Sequence, residues 1–451
     1  MSRTYALECN QKIGKKVQLW GWINTVRDHG KITFYDLRDL TGIVQTVSRN
    51  KHKITEEDVV SIKGIVKKRP DRLINPLLKT GKVEVEIESI QIISKANTLP
   101  FPIDTDGLEI DESLRLKYRY LDLRRERLKN NLRLRQQMLS FMRQFLTESG
   151  FIEIETPILT KATPEGARDF LVPSRLQKGK FYALPQSPQQ YKQLLMVAGF
   201  EKYFQIARCF RDEDPRSDRA YGEFTQLDVE MSYVTQDDIL ELTERLFKEL
   251  TEKIFKKKVL KYPFPRITHK EAIKKYGSDK FDMRIKKDPN VLSFAFVVDF
   301  PLFEKTKNQP ISPSHHPFTA PKDDYVHLLE SDPMKVLSWQ HDLVCNGLEV
   351  GGGSIRIIDA EIQKKVFKIL GYSSREIETK FGHLLKSFGW GVPPHGGIAP
   401  GIERIMMAAT GEENTREVTA FPMASSGQTS VMDAPSAIDD GSLKELKLKT
   451  I

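Results

Sequence analysis

The first hundred residues alternate short hydrophobic runs with turn residues, and this pattern limits the fold more than any other feature. The five runs are either alternating in polarity or β-branched: Val17–Ile23, Ile32–Leu37, Gly42–Val47, Val59–Val66 and Val83–Glu88. Each has the length of one strand, and Gly, Pro and Asp residues separate them as turn residues do. Five short strands in so small a space predict a closed β-barrel.

The pattern changes after Pro100 and Pro102. The barrel, which matches an OB-fold, is predicted over residues 1–103, and a linker or hinge over 104–130, which begins with the acidic stretch Asp104–Glu112. Hydrophobic residues then recur at helical spacing from Leu134 to Leu146, and Gly150 is a typical residue after a helix end. Residues 131–451 mix helices and strands without a βαβ rhythm, which predicts an antiparallel-sheet α+β domain.

Two further strands are predicted in this second domain, at Phe294–Phe300 and Thr415–Phe421. The last dozen residues, which end in Lys-Glu-Leu-Lys-Leu-Lys-Thr-Ile, are predicted to form a frayed basic tail.

Composition narrows the class of protein. Hydrophobic residues make up 39% of the 451 residues and charged ones 29%, values typical of a globular protein. No apolar run approaches the roughly 18 residues that a membrane span needs, and no signal peptide is recognisable. Three scattered cysteines argue against a disulfide framework, so we expect a cytoplasmic protein without a membrane partner. The net charge of +9 fits a polyanionic partner, but also a merely basic protein.

Neither of the common glycine-rich phosphate loops occurs in the sequence. Arginines and carboxylate-bound magnesium are the alternative means of holding phosphates. Two stretches offer them: the charged segment Phe210–Arg219, which leads into a predicted strand at Glu223–Glu230, and Gly397–Arg404, which places an arginine just inside a helix start. Taken singly, a charge-rich segment such as the first is usually a solvated hairpin, and a glycine-rich helix start such as the second usually serves packing.

Taken together, these stretches resemble the second and third signatures of class II aminoacyl-tRNA synthetases. Phe151–Pro157, after the predicted helix, resembles the first. Lys161–Arg168, Tyr182–Gln189 and Gly347–Arg356 are similar to the bacterial-type aspartyl-tRNA synthetases in particular. The resemblance runs from the barrel to about Ser436. It implies activation of L-aspartate with ATP and Mg²⁺ and transfer to tRNA-Asp by a homodimer.

The resemblance also implies site residues. Arg211 and Arg404 would be catalytic, clamping the α- and γ-phosphates, and Phe224 would stack on adenine. The complete ATP-binding set would be Arg211, Glu213, Phe224, Glu349 and Arg404. Asp342 and Glu349, on one helix face or bridged by a short turn, would hold Mg²⁺. The aspartate-binding set would be Glu165, Ser187, Gln189, Lys192, Gln226, Asp228, His315 and Arg356.

Within that set, Arg356 and Lys192 would bind the side-chain carboxylate of aspartate, and Arg356 would reject asparagine. In the barrel, the family resemblance implies an anticodon site in which Phe34 stacks on a base and polar neighbours read its edge. The implied anticodon residues are Arg27, His29, Phe34, Gln45 and Glu84.

Three departures of the sequence from the family bear on function, and a fourth, Pro400 in the third signature, is taken as neutral. The large inserted domain of bacterial members is essentially absent between about 277 and 296. The hairpin loop Arg219–Glu223, which normally contacts the tRNA acceptor end, is one residue longer than expected. His29 stands where strict enzymes tend to carry leucine, so our hypothesis is that the enzyme is non-discriminating and also charges tRNA-Asn.

Two alternatives remain open at this point. An asparagine- or lysine-charging relative shares the layout, although Arg356 and Lys192 favour aspartate. A catalytically idle paralogue that only binds RNA through its barrel is the second alternative, although the required catalytic positions are all filled.

Overall fold

The computed structural model describes residues 2–162, 165–214, 217–218, 221–305, 311–429 and 431–449. The chain divides into two compact units, Met1–Pro102 and Ile103–Ile451. Within the predicted motifs, Thr163, Pro164, Pro215, Arg216, Arg219 and Ala220 lie outside the described residues, as do Thr450 and Ile451 of the predicted tail. None of the described helices combines the length and the apolar character needed to cross a bilayer.

The first unit is a closed barrel in which the strands follow the order β1-β2-β3-β5-β4 and β4 closes on β1. All five predicted strands are confirmed: β1 Lys16–Asp28, β2 Thr33–Arg38, β3 Ile43–Ser48, β4 Val59–Lys68 and β5 Val83–Ser94. Successive side chains of a strand point to opposite faces. Leu19, Tyr35, Val44, Val60 and Val85 therefore fill the interior, and each is fully buried.

The second unit surrounds one large sheet with helices. Its helices are α1 Glu112–Lys117, α2 Arg119–Asp122, α3 Glu126–Glu148, α4 Gln189–Val197, α5 Gln236–Lys253, α6 His269–Tyr276, α7 Leu328–Ser331, α8 Ala360–Ile369, α9 Ser374–Phe388, α10 Ile402–Thr410 and α11 Asp440–Leu446. Its strands are β6 Ile152–Glu153, β7 Leu171–Pro173, β8 Phe181–Ala183, β9 Lys202–Arg211, β10 Gly222–Ser232, β11 Lys258–Val259, β12 Arg266–Thr268, β13 Val291–Leu292, β14 Phe294–Val298, β15 Phe303–Glu304, β16 Ser312–Pro313, β17 Gln340–Cys345, β18 Leu348–Ile355 and β19 His395–Pro400.

The large sheet joins eight of the described strands in the order β12-β14-β17-β18-β19-β10-β9-β6. Only its outermost pairings, β12 with β14 and β6 with β9, are parallel. The predicted mixed, mainly antiparallel α+β architecture is confirmed. Helix α3 packs beside this sheet through Met138, Met142 and Leu146, which recur four residues apart and are fully buried. Gly150, at φ +83, follows its end as predicted.

The segment predicted as a linker, 104–130, lies in the second unit and contains α1, α2 and the start of α3. Asp122 holds it together, since its carboxylate contacts Arg119 at 2.8 Å, Arg125 at 2.7 Å and Arg115 at 3.3 Å. Whether the segment acts as a hinge, and where the domains divide functionally, stay predictions.

Two secondary-structure predictions are wrong. Thr415–Phe421 contains a 3₁₀ helix, Thr415–Val418, instead of a strand. Arg119 explains the difference, because it donates hydrogen bonds to the carbonyls of Arg416, Thr419 and Ala420, which a strand would offer to its neighbour. The basic tail is not frayed throughout: Asp439 caps α11 by accepting the backbone N–H of Ser442 at 2.9 Å.

Candidate active site

The predicted active-site residues meet at one cavity of about 310 Å³ in the second unit. It opens over the middle of the large sheet, where β18, β19 and β10 are neighbours. The predicted residues that line it are Glu165, Ser187, Gln189, Lys192, Arg211, Glu213, Phe224, Gln226, Asp228, His315, Glu349, Arg356 and Arg404. Asp342 lies beside the cavity but does not line it.

Asp228 and Glu230 are two residues apart on β10 and so point to the same face of the sheet. Lys192 of α4 reaches both, with its Nζ 2.6 Å from Asp228 Oδ1 and 3.2 Å from Glu230 Oε2. Asp228 Oδ2 is buried and has no hydrogen-bond partner among the described residues. Burial raises the pKa of Asp228, with Lys192 opposing it. An orphaned buried acceptor marks a place where a ligand can donate a hydrogen bond.

Glu230, a buried carboxylate of this cluster, is a candidate site residue that the sequence analysis did not predict. It accepts two parallel hydrogen bonds from Arg356, Nε to Oε1 and Nη2 to Oε2, each at 2.9 Å. Arg356 Nη1 donates to His316 Nε2 at 2.7 Å and to Ser354 Oγ at 2.5 Å. Four of the five N–H groups of a guanidinium are thereby engaged, and one is left for a ligand. The alternation of Asp228 with Glu230 on a predicted strand was the signal that could have revealed it.

Two adjacent histidines, His315 and His316, pack beside this cluster with ring centroids 4.5 Å apart. Burial, with a contribution from Arg356, lowers the pKa of His315 to about 3, and burial also lowers the pKa of His316 well below its ordinary value. Both rings are therefore neutral at pH 7. Gly352 makes room for His315, because a Cβ there would lie 2.8 Å from Cε1 of that ring.

Three residues form the side of the cavity suited to a nucleotide. The guanidinium carbon of Arg211 lies 4.9 Å from the ring centroid of Phe224, across the β9–β10 hairpin. Arg404 lies in the first turn of α10, where the helix dipole favours anions. It is oriented by two backbone carbonyls, with Nε donating to Asp218 and Nη1 to Glu349, each at 3.0 Å.

Asp342 and Glu349 lie on β17 and β18 and are joined by the turn at Asn346 and Gly347, so the short-turn alternative is correct. Burial and the neighbouring Glu349 raise the pKa of Asp342 well above its usual range. Burial also acts to raise the pKa of Glu349, but Arg404 and Lys280 outweigh it, so that pKa is lowered. Lys280 Nζ lies 3.0 Å from Glu349 Oε2.

This pair of carboxylates fits Mg²⁺. Mg²⁺ is commonly held by one or two carboxylates together with substrate phosphates. Burial is the main cause of the raised pKa of Asp342, and a cation would relieve the repulsion by Glu349 that adds to it. Among the described residues, no group of three or more His, Cys, Asp or Glu side chains could hold a metal by itself.

The remaining predicted residues also line the cavity. Ser187 Oγ donates to Glu165 Oε2 at 2.7 Å and accepts the backbone N–H of Gln189 at 3.3 Å. Gln226 donates to the carbonyl of Ala399 at 3.4 Å. The backbone N–H of Glu213 donates to the carbonyl of Arg211 at 3.0 Å.

In the barrel, the five predicted anticodon residues come together at one side. Arg27 and Phe34 are paired across β1 and β2, and the ring of His29 meets Phe34 edge-on at 5.6 Å. Arg27 Nη2 donates to Gln45 Oε1 at 3.2 Å, and Gln45 Nε2 donates to Glu84 Oε2 at 2.9 Å. Asp36 Oδ2 accepts a hydrogen bond from Arg27 Nη1 at 2.6 Å and so orients Arg27 within this series of hydrogen bonds. Phe34 is half-buried, so part of its ring is exposed.

Two family models match the chain. Residues 111–425 match "tRNA synthetases class II (D, K and N)", and residues 17–93 match "OB-fold nucleic acid binding domain". The similar solved structures include asparaginyl-tRNA synthetase from Pyrococcus horikoshii with asparaginyl-adenylate, at 25% identity and TM-score 0.75, covering 94% of this chain and 98% of that one. Aspartyl-tRNA synthetase from Entamoeba histolytica has 25% identity and TM-score 0.74, covering 94% of this chain and 91% of that one.

Sequence relatives are closer. "Aspartate–tRNA(Asp/Asn) ligase" of Chlorobaculum parvum is 40% identical over 568 residues, covering 97% of this chain and 94% of the relative. The protein of the same name from Dehalococcoides mccartyi is 40% identical over 594 residues, covering 100% and 99%. Both aligned lengths exceed the 451 residues of this chain, so these relatives carry segments that it lacks. The chain therefore belongs to the aspartate–tRNA ligase family of class II aminoacyl-tRNA synthetases.

Proposed function

We propose that the protein uses ATP to activate L-aspartate and transfers the aspartyl group to the 3′ end of tRNA-Asp. The observation that carries this proposal is the buried cluster of Lys192, Asp228, Glu230 and Arg356. It offers an unpartnered carboxylate oxygen for the substrate ammonium and two buried cations for the substrate side chain. Few other amino acids would satisfy both ends of such a pocket.

Activation is an in-line attack by the α-carboxylate of aspartate on the α-phosphorus of ATP, with pyrophosphate as the leaving group. Arg211 binds the α-phosphate and Arg404 the γ-phosphate, and Phe224 stacks on the adenine. No protein nucleophile takes part, so positioning and charge stabilisation supply the catalysis. Asp342 and Glu349 would hold Mg²⁺, which when bound neutralises charge on the phosphates. The ribose hydroxyl of the tRNA end then attacks the carbonyl of the adenylate and releases AMP.

Selectivity for aspartate over asparagine rests on Arg356 and Lys192. Arg356 already donates to Glu230, His316 and Ser354, which leaves one of its five N–H groups free. Lys192 donates to Asp228 and forms an ion pair with Glu230 at 3.2 Å. The substrate carboxylate would accept one hydrogen bond from each cation. The amide of asparagine would turn its NH₂ group toward one of these donors, leaving a buried donor unsatisfied.

Both tRNA-Asp and tRNA-Asn are substrates in this proposal. Its support is His29, edge-on to Phe34 at the predicted anticodon site, and the printed names of the relatives, which include both tRNAs. Charging of the two transcripts by the wild type and by His29→Leu tests it. We expect Asp-tRNA-Asn from the wild type and a selective loss of it in the variant; no Asp-tRNA-Asn from the wild type would refute this part.

A homodimer is also proposed. Its support is the apolar surface exposed in the first signature and directly after it, at Ile152, Ile158 and Leu159, each about half exposed. Such a row is typical of an interface. Light scattering in dilute solution should give twice the mass of 51.8 kDa, and a monomer would contradict the proposal.

The deciding experiment is pyrophosphate exchange into ATP without tRNA, with aspartate, asparagine or no amino acid. We expect exchange with aspartate alone, abolished by Arg356→Leu and retained by Arg375→Leu, a matched change at an exposed arginine of α9. Exchange with asparagine would favour an asparagine-charging enzyme. No exchange from folded protein with magnesium would favour the idle RNA-binding paralogue.

A further inference from the structure

The positive charge of this protein is concentrated in one short stretch. Residues 253–287 contain eleven lysines and two arginines against three acidic residues, a formal charge of +10. The whole chain carries +9, so all other residues together are close to neutral. The stretch runs from the end of α5 through α6 into the loop before β13, within the region where the inserted domain of the family is predicted to be absent.

The fold brings the two ends of this stretch together. Strand β11 pairs in parallel with β13, which sets Lys258 beside Val291. Lys257 Nζ donates to the carbonyl of Pro289 at 2.6 Å, and burial together with the nearby Arg284 lowers the pKa of Lys257. The lysines at 256–258 therefore lie next to the loop that contains Lys286 and Lys287. We call these five lysines, Lys256, Lys257, Lys258, Lys286 and Lys287, the basic surface.

The charges of the basic surface are mostly unneutralised. Lys256, Lys258, Lys286 and Lys287 are exposed, and within the described parts of the chain none of the four forms an ion pair. Clustered like charges of this kind attract polyanions, which release counterions on binding. Lysine is a point charge without the directional fork of arginine, so it suits contacts to a phosphate backbone that do not depend on sequence.

The surface lies close to the active site along the chain. Lys280 contacts Glu349, which lines the cavity, at 3.0 Å, and the stacked rings of Tyr276 and Phe281, 4.2 Å apart, fix the chain on either side of it. Six residues span at most about 22 Å, so Lys286 lies within that distance of Lys280. The part of a tRNA that must approach this cavity is its acceptor arm.

We propose that the basic surface binds the phosphate backbone of the tRNA acceptor arm. The inference rests on the proposed function, because it takes tRNA as the substrate. In this chain, which is shorter than the relatives it aligns with, the surface would supply affinity for the acceptor arm.

The test is the full-length variant Lys256→Gln/Lys258→Gln/Lys286→Gln/Lys287→Gln. Its control removes the same charge elsewhere, at Lys364, Lys365, Lys368 and Lys386 of α8 and α9. Binding is measured with a tRNA-Asp transcript and with a minihelix that contains only the acceptor and T arms, over a range of salt. We expect a Kd at least roughly tenfold higher for both RNAs and a salt slope reduced by about one per lysine removed. The control variant should bind as the wild type does.

Each outcome decides the proposal. Unchanged affinity, an equal loss in the control, or a loss confined to the full tRNA with normal minihelix binding would overturn it. Loss of binding to phosphatidylserine vesicles with tRNA affinity retained would assign the surface to a membrane instead. Pyrophosphate exchange needs no tRNA and should be unchanged, which also checks folding. Absence of exchange in the wild type would refute the proposed function while RNA binding still decides this inference.

Discussion

Arg356 and Glu230 face each other fully buried, with two parallel hydrogen bonds of 2.9 Å between guanidinium and carboxylate. Glu230 also lies 3.2 Å from Lys192, so one carboxylate orients both cations of the pocket. Glu230→Gln removes the carboxylate charge that neutralises Arg356 and helps to neutralise Lys192. We expect it to lower the free energy of unfolding by about 3–5 kcal/mol, because breaking a buried ion pair strands its partner. Chemical denaturation measures this, and a change under about 1 kcal/mol would contradict it.

The loss of stability in Glu230→Gln should depend on pH. Burial acts to raise the pKa of Glu230, but Arg356 and Lys192 outweigh it and hold the pKa at about 2, below the ordinary 4.5. The stability that this carboxylate contributes is therefore complete above pH 4.5 and lost as the pH falls toward 2. The stability difference between wild type and Glu230→Gln should be constant from pH 7 to 5 and shrink below. A difference that grows on acidification would exclude this cause.

Phe224→Leu should weaken ATP binding selectively. The ring lies under Arg211 at 4.9 Å, and in our proposal its other face stacks on adenine. Base–aromatic stacking contributes roughly 1–3 kcal/mol, which corresponds to a KM for ATP raised about 5- to 150-fold. Leucine keeps the apolar volume, so the KM for aspartate should stay as it is. Parallel changes in both KM values would indicate a general disturbance of the site instead.

Arg404→Lys should also raise the KM for ATP, although the charge is kept. Arg404 donates to the carbonyls of Asp218 and Glu349 through two different nitrogens. A lysine ammonium lacks the planar, forked set of donors that could contact both carbonyls and a phosphate at once. A hydrogen bond to a charged group contributes about 1.5–3 kcal/mol, so its loss predicts a KM for ATP that is roughly 10- to 150-fold higher. Pyrophosphate exchange at varied ATP measures it. Wild-type kinetics would show that charge alone suffices at this position.

Lys280→Met should strengthen the binding of divalent cations. The Lys280 ammonium competes for Glu349, one of the two carboxylates proposed for Mg²⁺. A partly exposed ion pair contributes about 0.2–1 kcal/mol, so the half-saturating cation concentration should fall by up to about fivefold. Mn²⁺ binding followed by electron paramagnetic resonance gives a readout independent of activity. Lys275→Met, an exposed lysine of α6, is the control. Weaker binding in Lys280→Met would mean that Lys280 supports the cation.

Local pattern determined a large part of the architecture. The five barrel strands agree with their predicted positions, and helix α3 contains the predicted helical segment although it begins earlier, at Glu126. Alternation and helical spacing report directly which face each element buries. The prediction at Thr415–Phe421 is wrong for the opposite reason. Its apolar residues suit a strand, but Arg119, nearly three hundred residues earlier, binds its carbonyls. No local pattern contains such a contact.

The candidate site divides in the same way. By itself, the sequence determined which residues stand at the motif positions, and the family resemblance of those motifs predicted Asp228, Lys192 and Arg356 as aspartate-binding residues. Only the tertiary structure decided how they are used: Glu230 takes most of the Arg356 fork, Asp228 keeps one oxygen free of partners, and Lys280 reaches Glu349. The physical reason is that hydrogen bonds and ion pairs depend on distances of a few ångströms between residues far apart in the chain, and only folding sets those distances.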